Sequence, residues 1–170
     1  MMRPLIAVVF VAALLVGCAG SVTEGYVATS TFRDDIQTIA IPIFDNRTFT
    51  RDIEFELTDA LIKEVQRRTP YRIENERRTE TTLTGTIRKV ELTRLSRSTD
   101  TGLSEEGVLR VTIDFEWKDL RDGHTLISRE EYTGQALFVP SSSREPVEIG
   151  QFAVVQQLAR DIVSEMRSEW

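Results

Sequence analysis

The sequence offers one cysteine, Cys18, and one histidine, His124, as its most reactive side chains. Cys18 ends an N-terminal stretch in which Arg3 precedes an apolar run from Leu5 to Val16. A charged start, a short apolar run and a small-residue exit are typical of a secretory signal, and the run is shorter than the roughly 20 residues that span a bilayer. Because a lone cysteine cannot form an internal disulfide, the Cys18 thiol calls for another role in an exported chain.

Leu15-Val16-Gly17-Cys18 resembles the bacterial lipobox, in which the signal is cut before the cysteine and the thiol is diacylated. The resemblance implies a signal peptide over residues 1–17 and a lipidated Cys18. Ala19, rather than the retention residue Asp, follows the cysteine, which implies delivery to the outer membrane. Several acyl chains, at about 0.8 kcal/mol per buried methylene, give lasting attachment. The alternative is a buried free cysteine at the end of an ordinary signal peptide.

Catalytic motifs are scarce in the rest of the chain. His124 lies in the sequence Asp122-Gly123-His124-Thr125, which predicts an exposed turn. No zinc-ligand spacing, phosphate-binding loop or Gly-x-Ser-x-Gly elbow occurs. Acidic residues such as Asp114 and Glu116 fall on outward strand positions, where a solvated face is the default. We therefore predict no enzyme, no metal site and no cofactor; a carboxylate pair assembled by the fold is the one catalytic option left open.

Basic residues concentrate in one part of the chain, although the net charge is −6. Ten basic and five acidic residues lie between Lys63 and Arg97, whereas seven basic and fourteen acidic residues lie between Asp100 and Trp170. The overall charge argues against a nucleic-acid binder. Four basic side chains follow one long predicted strand and could converge on phosphate groups: Arg88, Lys89, Arg94 and Arg97. The alternative is a solubilising strand surface with ion pairs to the acidic half.

The chain after residue 17 has the length of one domain with its own core. Residues 18–35 carry glycine, serine and threonine with little periodicity, which predicts a lipidated tether. Residues 36–170 are predicted to form a single domain that rests on packing alone, without a disulfide.

The first half of this domain predicts strand, helix and strand. The apolar segment 36–44 predicts a central strand, with Pro42 as a complication, and Asp45 to Thr48 predict a turn. Residues 51–69 predict a helix whose apolar stripe contains Ile53, Leu57, Ala60, Leu61 and Val65. Pro70 ends the helix. A short strand follows at 71–74.

The second half predicts three strands and a helix. The strand 82–97 changes parity near Arg88-Lys89, which indicates a β-bulge. Residues 108–118 alternate strictly and 125–138 return as a further strand. A second helix from residue 147 is predicted to bury Phe152, Val155, Ala159, Ile162, Val163 and Met166. The fold prediction is α+β: a mainly antiparallel four- to five-stranded sheet with two helices packed on one face.

Together these features resemble the lipopolysaccharide-assembly lipoprotein family, the LptE family. The resemblance is carried by the lipobox at Cys18, Gly25-Tyr26, the strand from Ile39 to Phe44, Asp45-Asn46-Arg47-Thr48, the helix with Glu54, Leu57, Thr58 and Ala60-Leu61, and the strand from Leu83 to Ile87. It covers most of the chain after the signal, with the second half matching mainly in pattern. The strand and helix are also similar to curli-secretion and penicillin-binding-protein-activator lipoproteins.

The LptE resemblance implies a lipid-anchored domain at the periplasmic leaflet of the outer membrane. There it would plug the large β-barrel translocon (LptD-like) that inserts lipopolysaccharide, and it is a candidate to bind the glycolipid itself. Charge and position make Arg88, Lys89, Arg94 and Arg97 the candidate lipopolysaccharide-binding residues. The alternative is an envelope scaffold that activates a cell-wall synthase or supports a secretion pore. Neither function requires nucleic acid.

Overall fold

The computed structural model describes residues 31–97, 104–138 and 146–167. Within them, six strands form one sheet: β1 (Thr38–Ala40), β2 (Asp45–Asn46), β3 (Arg72–Ile73), β4 (Thr81–Arg97), β5 (Ser104–Asp119) and β6 (Thr125–Phe138). Two helices are α1 (Ile53–Arg68) and α2 (Pro146–Glu165). The strand order is β3-β1-β4-β5-β6, with β2 also paired to β4. Long β4, β5 and β6 are antiparallel and the short strands pair in parallel, so the predicted α+β class is confirmed.

The predicted first strand, 36–44, is interrupted at its proline. Pro42 has no N–H to donate to a sheet ladder, and the chain leaves the sheet there and rejoins it as β2. Asp45 and Asn46 were predicted to lie in a turn; that prediction is wrong, because both residues pair in parallel with the middle of β4. Because of this interruption the sheet has six strands, whereas four to five were predicted.

The segment between β1 and β2 buries its two end residues, Ile41 and Phe44, although Ile43 is exposed. The ring of Phe44 lies against Gly85 of β4, where a Cβ atom would come within 2.2 Å of the ring. The Phe44 N–H donates to the Thr58 hydroxyl of α1 at 3.2 Å. Phe44 therefore links the sheet to the first helix, and only glycine at position 85 leaves room for its ring.

One face of the sheet is covered by both helices, and its residues are apolar. The predicted alternation of β5 is confirmed, since every second residue is buried: Leu109, Val111, Ile113, Phe115 and Trp117. The stripe predicted on α1 is buried as well: Ile53, Leu57, Ala60, Leu61 and Val65. These side chains pack together with those of α2 in one core.

The inward face of α2 differs from the prediction at one residue. Phe152 was predicted to be buried but is 64% exposed, whereas Val154 and Leu158 are fully buried. Phe152 shares its helical face with Val155 and Ala159, which are buried, so the burial of this face begins only after the first turns of α2. The helix also approaches β6 closely: a Cβ at Gly150 would lie 2.7 Å from Phe138, and one at Gly134 would lie 2.5 Å from Leu158.

Two irregularities lie opposite each other on the two sides of β5. Arg88 is an extra residue in β4, because Ile87 pairs with Ile113 and Lys89 already pairs with Thr112. This confirms the predicted bulge. A second irregularity, which the sequence did not indicate, occurs in β6, where Glu131 has a φ of 52°.

The two helices run in the same direction along the sheet. Gln151 donates to Glu56 at 3.0 Å near their starts, and Arg68 donates to Ser164 at 3.4 Å near their ends. Beyond the helix ends, Phe32 forms an isolated bridge with Arg167. We call this end of the domain the base, and the end with the first helical turns the apex.

Candidate binding surface on the open sheet face

The second face of β4, β5 and β6 is not covered by any element among the described residues. Its outward side chains are mainly hydroxyls and charges that are at least partly exposed, and Leu137 of β6, 70% exposed, is an apolar exception. The polar ones on β4 and β5 include Thr84, Thr86, Arg88, Thr112, Asp114, Glu116 and Lys118. Two shallow depressions of about 260 and 410 Å³ lie on this face, and both are lined by Asp114 and Glu130. We call this surface the open face.

Asp114 lies at the centre of the open face and contacts both irregular strands. Its carboxylate accepts a hydrogen bond from the backbone N–H of Glu131 at 2.9 Å and another from the Arg88 guanidinium. The Glu131 N–H, followed by Arg88, lowers the pKa of Asp114, since both stabilise its charged form. One carboxylate thus holds the bulge of β4 and the left-handed residue of β6 in place.

The structure places two of the four predicted lipopolysaccharide-binding residues in ion pairs. Arg88 pairs with Asp114, and Lys89 pairs with Glu91 at 2.8 Å. The side chains of Arg94 and Arg97 lie outside the described residues, although both belong to β4. Arg88 and Lys89 remain about half exposed, so a phosphate ligand in solution can reach both side chains.

Of the two reactive residues that the sequence offered, Cys18 and His124, the structure describes only His124. His124 is exposed, and its backbone N–H donates to the Asp122 carboxylate within the predicted turn. Cys18 lies outside the described residues. Among residues 31–97, 104–138 and 146–167, His, Asp and Glu side chains form no group that could hold a metal ion.

None of the helices in the described part of the chain is long and apolar enough to cross a membrane.

Sequence reasoning missed the role of Asp114, which was assigned only to a solvated outward position. Arg88 and Asp114 are 26 residues apart, and they meet because of the exact pairing register of β4 with β5. The predicted bulge near Arg88 was the one sequence signal for this contact. The register of β4 against β5 depends on the connection between them, and the sequence pattern of that connection does not determine the register.

A second surface that the sequence did not indicate lies near the start of α1. Phe49 is fully exposed. Its loop is held by Asn46, whose side chain accepts from the Thr48 N–H at 2.9 Å and donates to the Thr50 carbonyl at 2.8 Å. Asn46 also donates to Glu54 at 2.7 Å. The loop therefore holds an aromatic side chain in solvent on an ordered backbone.

Solved structures show the same fold at low sequence identity. Protein XCC0632 from Xanthomonas campestris is 11% identical, with a TM-score of 0.58 over 78% of this chain and 84% of that one. CT253 from Chlamydia trachomatis is 9% identical, with a TM-score of 0.55 over 76% and 95%. A PelC variant from Paraburkholderia phytofirmans, which is a dodecamer, is 18% identical, with a TM-score of 0.50 over 78% and 90%.

The sequence comparisons identify the family. No curated protein matches the sequence. Residues 36–169 match the model of the LptE family, which is described as lipopolysaccharide-assembly. The match takes in both helices and all six strands and extends over most of the chain. The chain therefore belongs to the LptE lipopolysaccharide-assembly family.

Proposed function

We propose that this protein is an outer-membrane lipoprotein, anchored through Cys18 and facing the periplasm, that docks in the lumen of a β-barrel translocon (LptD-like). Family membership supplies the process, lipopolysaccharide assembly, and the family is a non-enzymatic one. The observation that carries the docking step is the open face, a wide and ordered polar surface that no described element covers.

The chemistry of the open face suits the inside of a barrel. The lumen of an outer-membrane barrel is polar and hydrated, so a plug needs hydrogen-bonding side chains rather than an apolar patch. Thr84, Thr86 and Thr112 supply hydroxyls that both donate and accept. Asp114 of β5 is bonded to both adjacent strands, to Arg88 of β4 and to Glu131 of β6. A surface that is held in place before docking loses less conformational entropy when it docks.

The four basic residues of β4 are proposed to contact lipopolysaccharide phosphates. The charge of Arg88 and Lys89, their exposure and their position beside Thr112 on one depression support this role. Replacing Arg88, Lys89, Arg94 and Arg97 by glutamine should abolish salt-sensitive glycolipid binding. A control with glutamine at Arg77 and Arg78, two exposed cations outside β4, should bind normally. Unchanged binding by the fourfold variant would remove this part of the proposal.

A pull-down tests the proposed partner. The lipidated protein is purified in a gentle detergent, and everything that stays bound is identified by mass spectrometry. A large outer-membrane β-barrel protein at stoichiometric yield supports the proposal. A cell-wall synthase or a secretion pore in its place would favour the envelope-scaffold alternative, and an empty pull-down would contradict both.

A further inference from the structure

A separate cleft of about 500 Å³ lies at the base, on the helix side of the sheet. It opens between β5, β6 and the end of α2. Its floor is apolar and consists of Trp117, Leu126, Ile127 and Met166. The volume falls within the range of about 300–1,000 Å³ that is usual for small-molecule sites. The basic residues of β4 do not line this cleft, and Arg129 is the one lining residue that it shares with a depression of the open face.

Three arginines from different parts of the chain line the cleft: Arg33, Arg129 and Arg167. Arg33 donates to both carboxylate oxygens of Asp35 at 3.0 Å. Arg129 donates to Glu165 at 2.6 Å, and Glu165 is the acidic residue of the lining. Arg167 forms no ion pair with any carboxylate of the described residues.

The arginines keep donors that an anion could use. Each guanidinium carries five N–H groups in a planar fork that matches phosphate and carboxylate oxygens. Asp35 takes two of the donors of Arg33, and those of Arg167 are not engaged by a carboxylate in the described part of the protein. The cleft therefore combines an apolar floor with surplus positive donors around it.

Trp117, part of the apolar lining of the cleft, also carries a polar group that is unpaired in the part of the chain that the structure describes. Its indole N–H is buried and has no acceptor among the described residues. Buried donors in folded proteins nearly always have a partner, and an unpaired one costs about 1–3 kcal/mol. The Trp117 ring lines the cleft, while its indole nitrogen is buried from solvent and makes no hydrogen bond to any described residue.

We propose that the basal cleft binds an anionic amphiphile, with its phosphate or carboxylate group at the arginines and its hydrocarbon chain on the apolar floor. The cleft lies beside Phe32 and Arg33, where the chain enters the domain from its N-terminal segment. If Cys18 is anchored as proposed above, this end is tethered to the membrane, whose anionic lipids are one source of the ligand. A water-borne amphiphile is the other source.

Fluorescence of Trp117 tests this site directly. The chain has two tryptophans, so a Trp170→Phe variant leaves Trp117 as the sole reporter. The lipidated full chain is held in uncharged dodecyl maltoside micelles, and dodecyl phosphate is added in increasing mole fraction. We expect a saturable shift of the Trp117 emission. Dodecyltrimethylammonium, which has the same chain and the opposite charge, should give none.

A matched pair of variants separates the site from general charge effects. Arg167→Gln should weaken dodecyl phosphate binding about tenfold, the effect expected for one charge-assisted contact. Arg160→Gln removes the same charge from an exposed position on α2, outside the lining of the cleft, and should leave binding unchanged. Equal responses to both detergents, or equal affinities of the two variants, would overturn the proposal.

Two further additions identify the source of the ligand. A response to phosphatidylglycerol in reconstituted phosphatidylcholine vesicles assigns the cleft to membrane lipid. A response to dodecyl phosphate without one to phosphatidylglycerol assigns it to a water-borne amphiphile. Inorganic phosphate that alone reproduces the full shift would overturn the role of the apolar floor. Since no barrel protein takes part in these titrations, their failure is distinct from a failure of the docking proposal.

Discussion

The two faces of the sheet are built from alternate residues of the same strands and differ in almost every property. On the covered face, side chains are apolar and buried against α1 and α2. On the open face, they are hydroxyls and charges held by a network that centres on Asp114. We therefore expect the covered face to contribute most of the stability of the domain and the open face to be available for binding.

The largest expected effect is on the covered face. Phe44→Ala removes the ring that lies against Gly85 and leaves a cavity between the sheet and α1, which should lower the free energy of unfolding by about 3–5 kcal/mol. Urea unfolding followed by circular dichroism measures the change. The control is Phe55→Ala, which removes the same side chain from a position 52% exposed and should cost less than about 1 kcal/mol. Equal losses would contradict the assignment of the core.

Exchanging valine and threonine at two adjacent residues of β5 tests whether the two faces of the sheet differ in their contribution to stability. Val111 is fully buried on the covered face, whereas Thr112 lies on the open face with its hydroxyl 3.3 Å from that of Thr133. Val111→Thr buries a hydroxyl among apolar groups and should cost about 1–3 kcal/mol. Thr112→Val should change stability by no more than about 0.5 kcal/mol. Similar losses in the two variants would mean that the faces are not energetically distinct.

A smaller effect is expected at the centre of the open face. Asp114→Asn removes the charge that Arg88 pairs with and weakens the bond to the Glu131 N–H, so stability should fall by about 1 kcal/mol. Hydrogen exchange should become faster at the Glu131 amide. Glu91→Gln removes the partner of Lys89 from an exposed pair and serves as the control, with a change below about 0.5 kcal/mol. Unchanged exchange in the Asp114 variant would contradict its role in holding β6.

Acid should weaken the hydrogen bonds and ion pairs of three aspartates, Asp114 on the open face and Asp35 and Asp119 in a separate group with Arg33 and Arg121, before it affects the apolar core. The Arg33 guanidinium lowers the pKa of Asp35, the Glu131 N–H lowers that of Asp114, and Arg121 lowers that of Asp119. Their stabilisation is complete above the ordinary aspartate pKa of about 3.9 and is lost as the pH falls through the lower pKa values of the folded state. Urea midpoints from pH 7 to pH 2 should therefore decline mainly below pH 4. The decline should be smaller in Asp119→Asn; an equal decline would remove Asp119 from this explanation.

Sequence reasoning was accurate for elements that bury one face, and it was poor where a contact joins residues that are far apart in the sequence. The alternation from Leu109 to Trp117 and the β4 bulge at Arg88 follow from local patterns, and both are present. Phe152 was assigned incorrectly because it shares a helical face with Val155 and Ala159, which are buried, whereas the cover of that face does not extend to the start of α2. Where along a helix its apolar face is covered depends on tertiary packing, which leaves no periodic signal in the sequence.

The candidate sites were less predictable than the fold. The four basic residues of β4 could be chosen from charge and spacing, but the pairing of Arg88 with Asp114 depends on the register of two strands. The basal cleft collects Arg33, Arg129 and Arg167 from separate parts of the chain. Only the fold brings them together, so no local motif could have identified them.

Photo-crosslinking from the two sides of the domain tests the central claim most directly. A photoreactive amino acid replaces Thr84, which is exposed on the open face, or Gln66, which is exposed on α1. After irradiation of living cells, the Thr84 variant should form an adduct with an outer-membrane β-barrel protein, and the Gln66 variant should give a much weaker one. An adduct of equal yield from Gln66, or none from Thr84, would contradict docking through the open face.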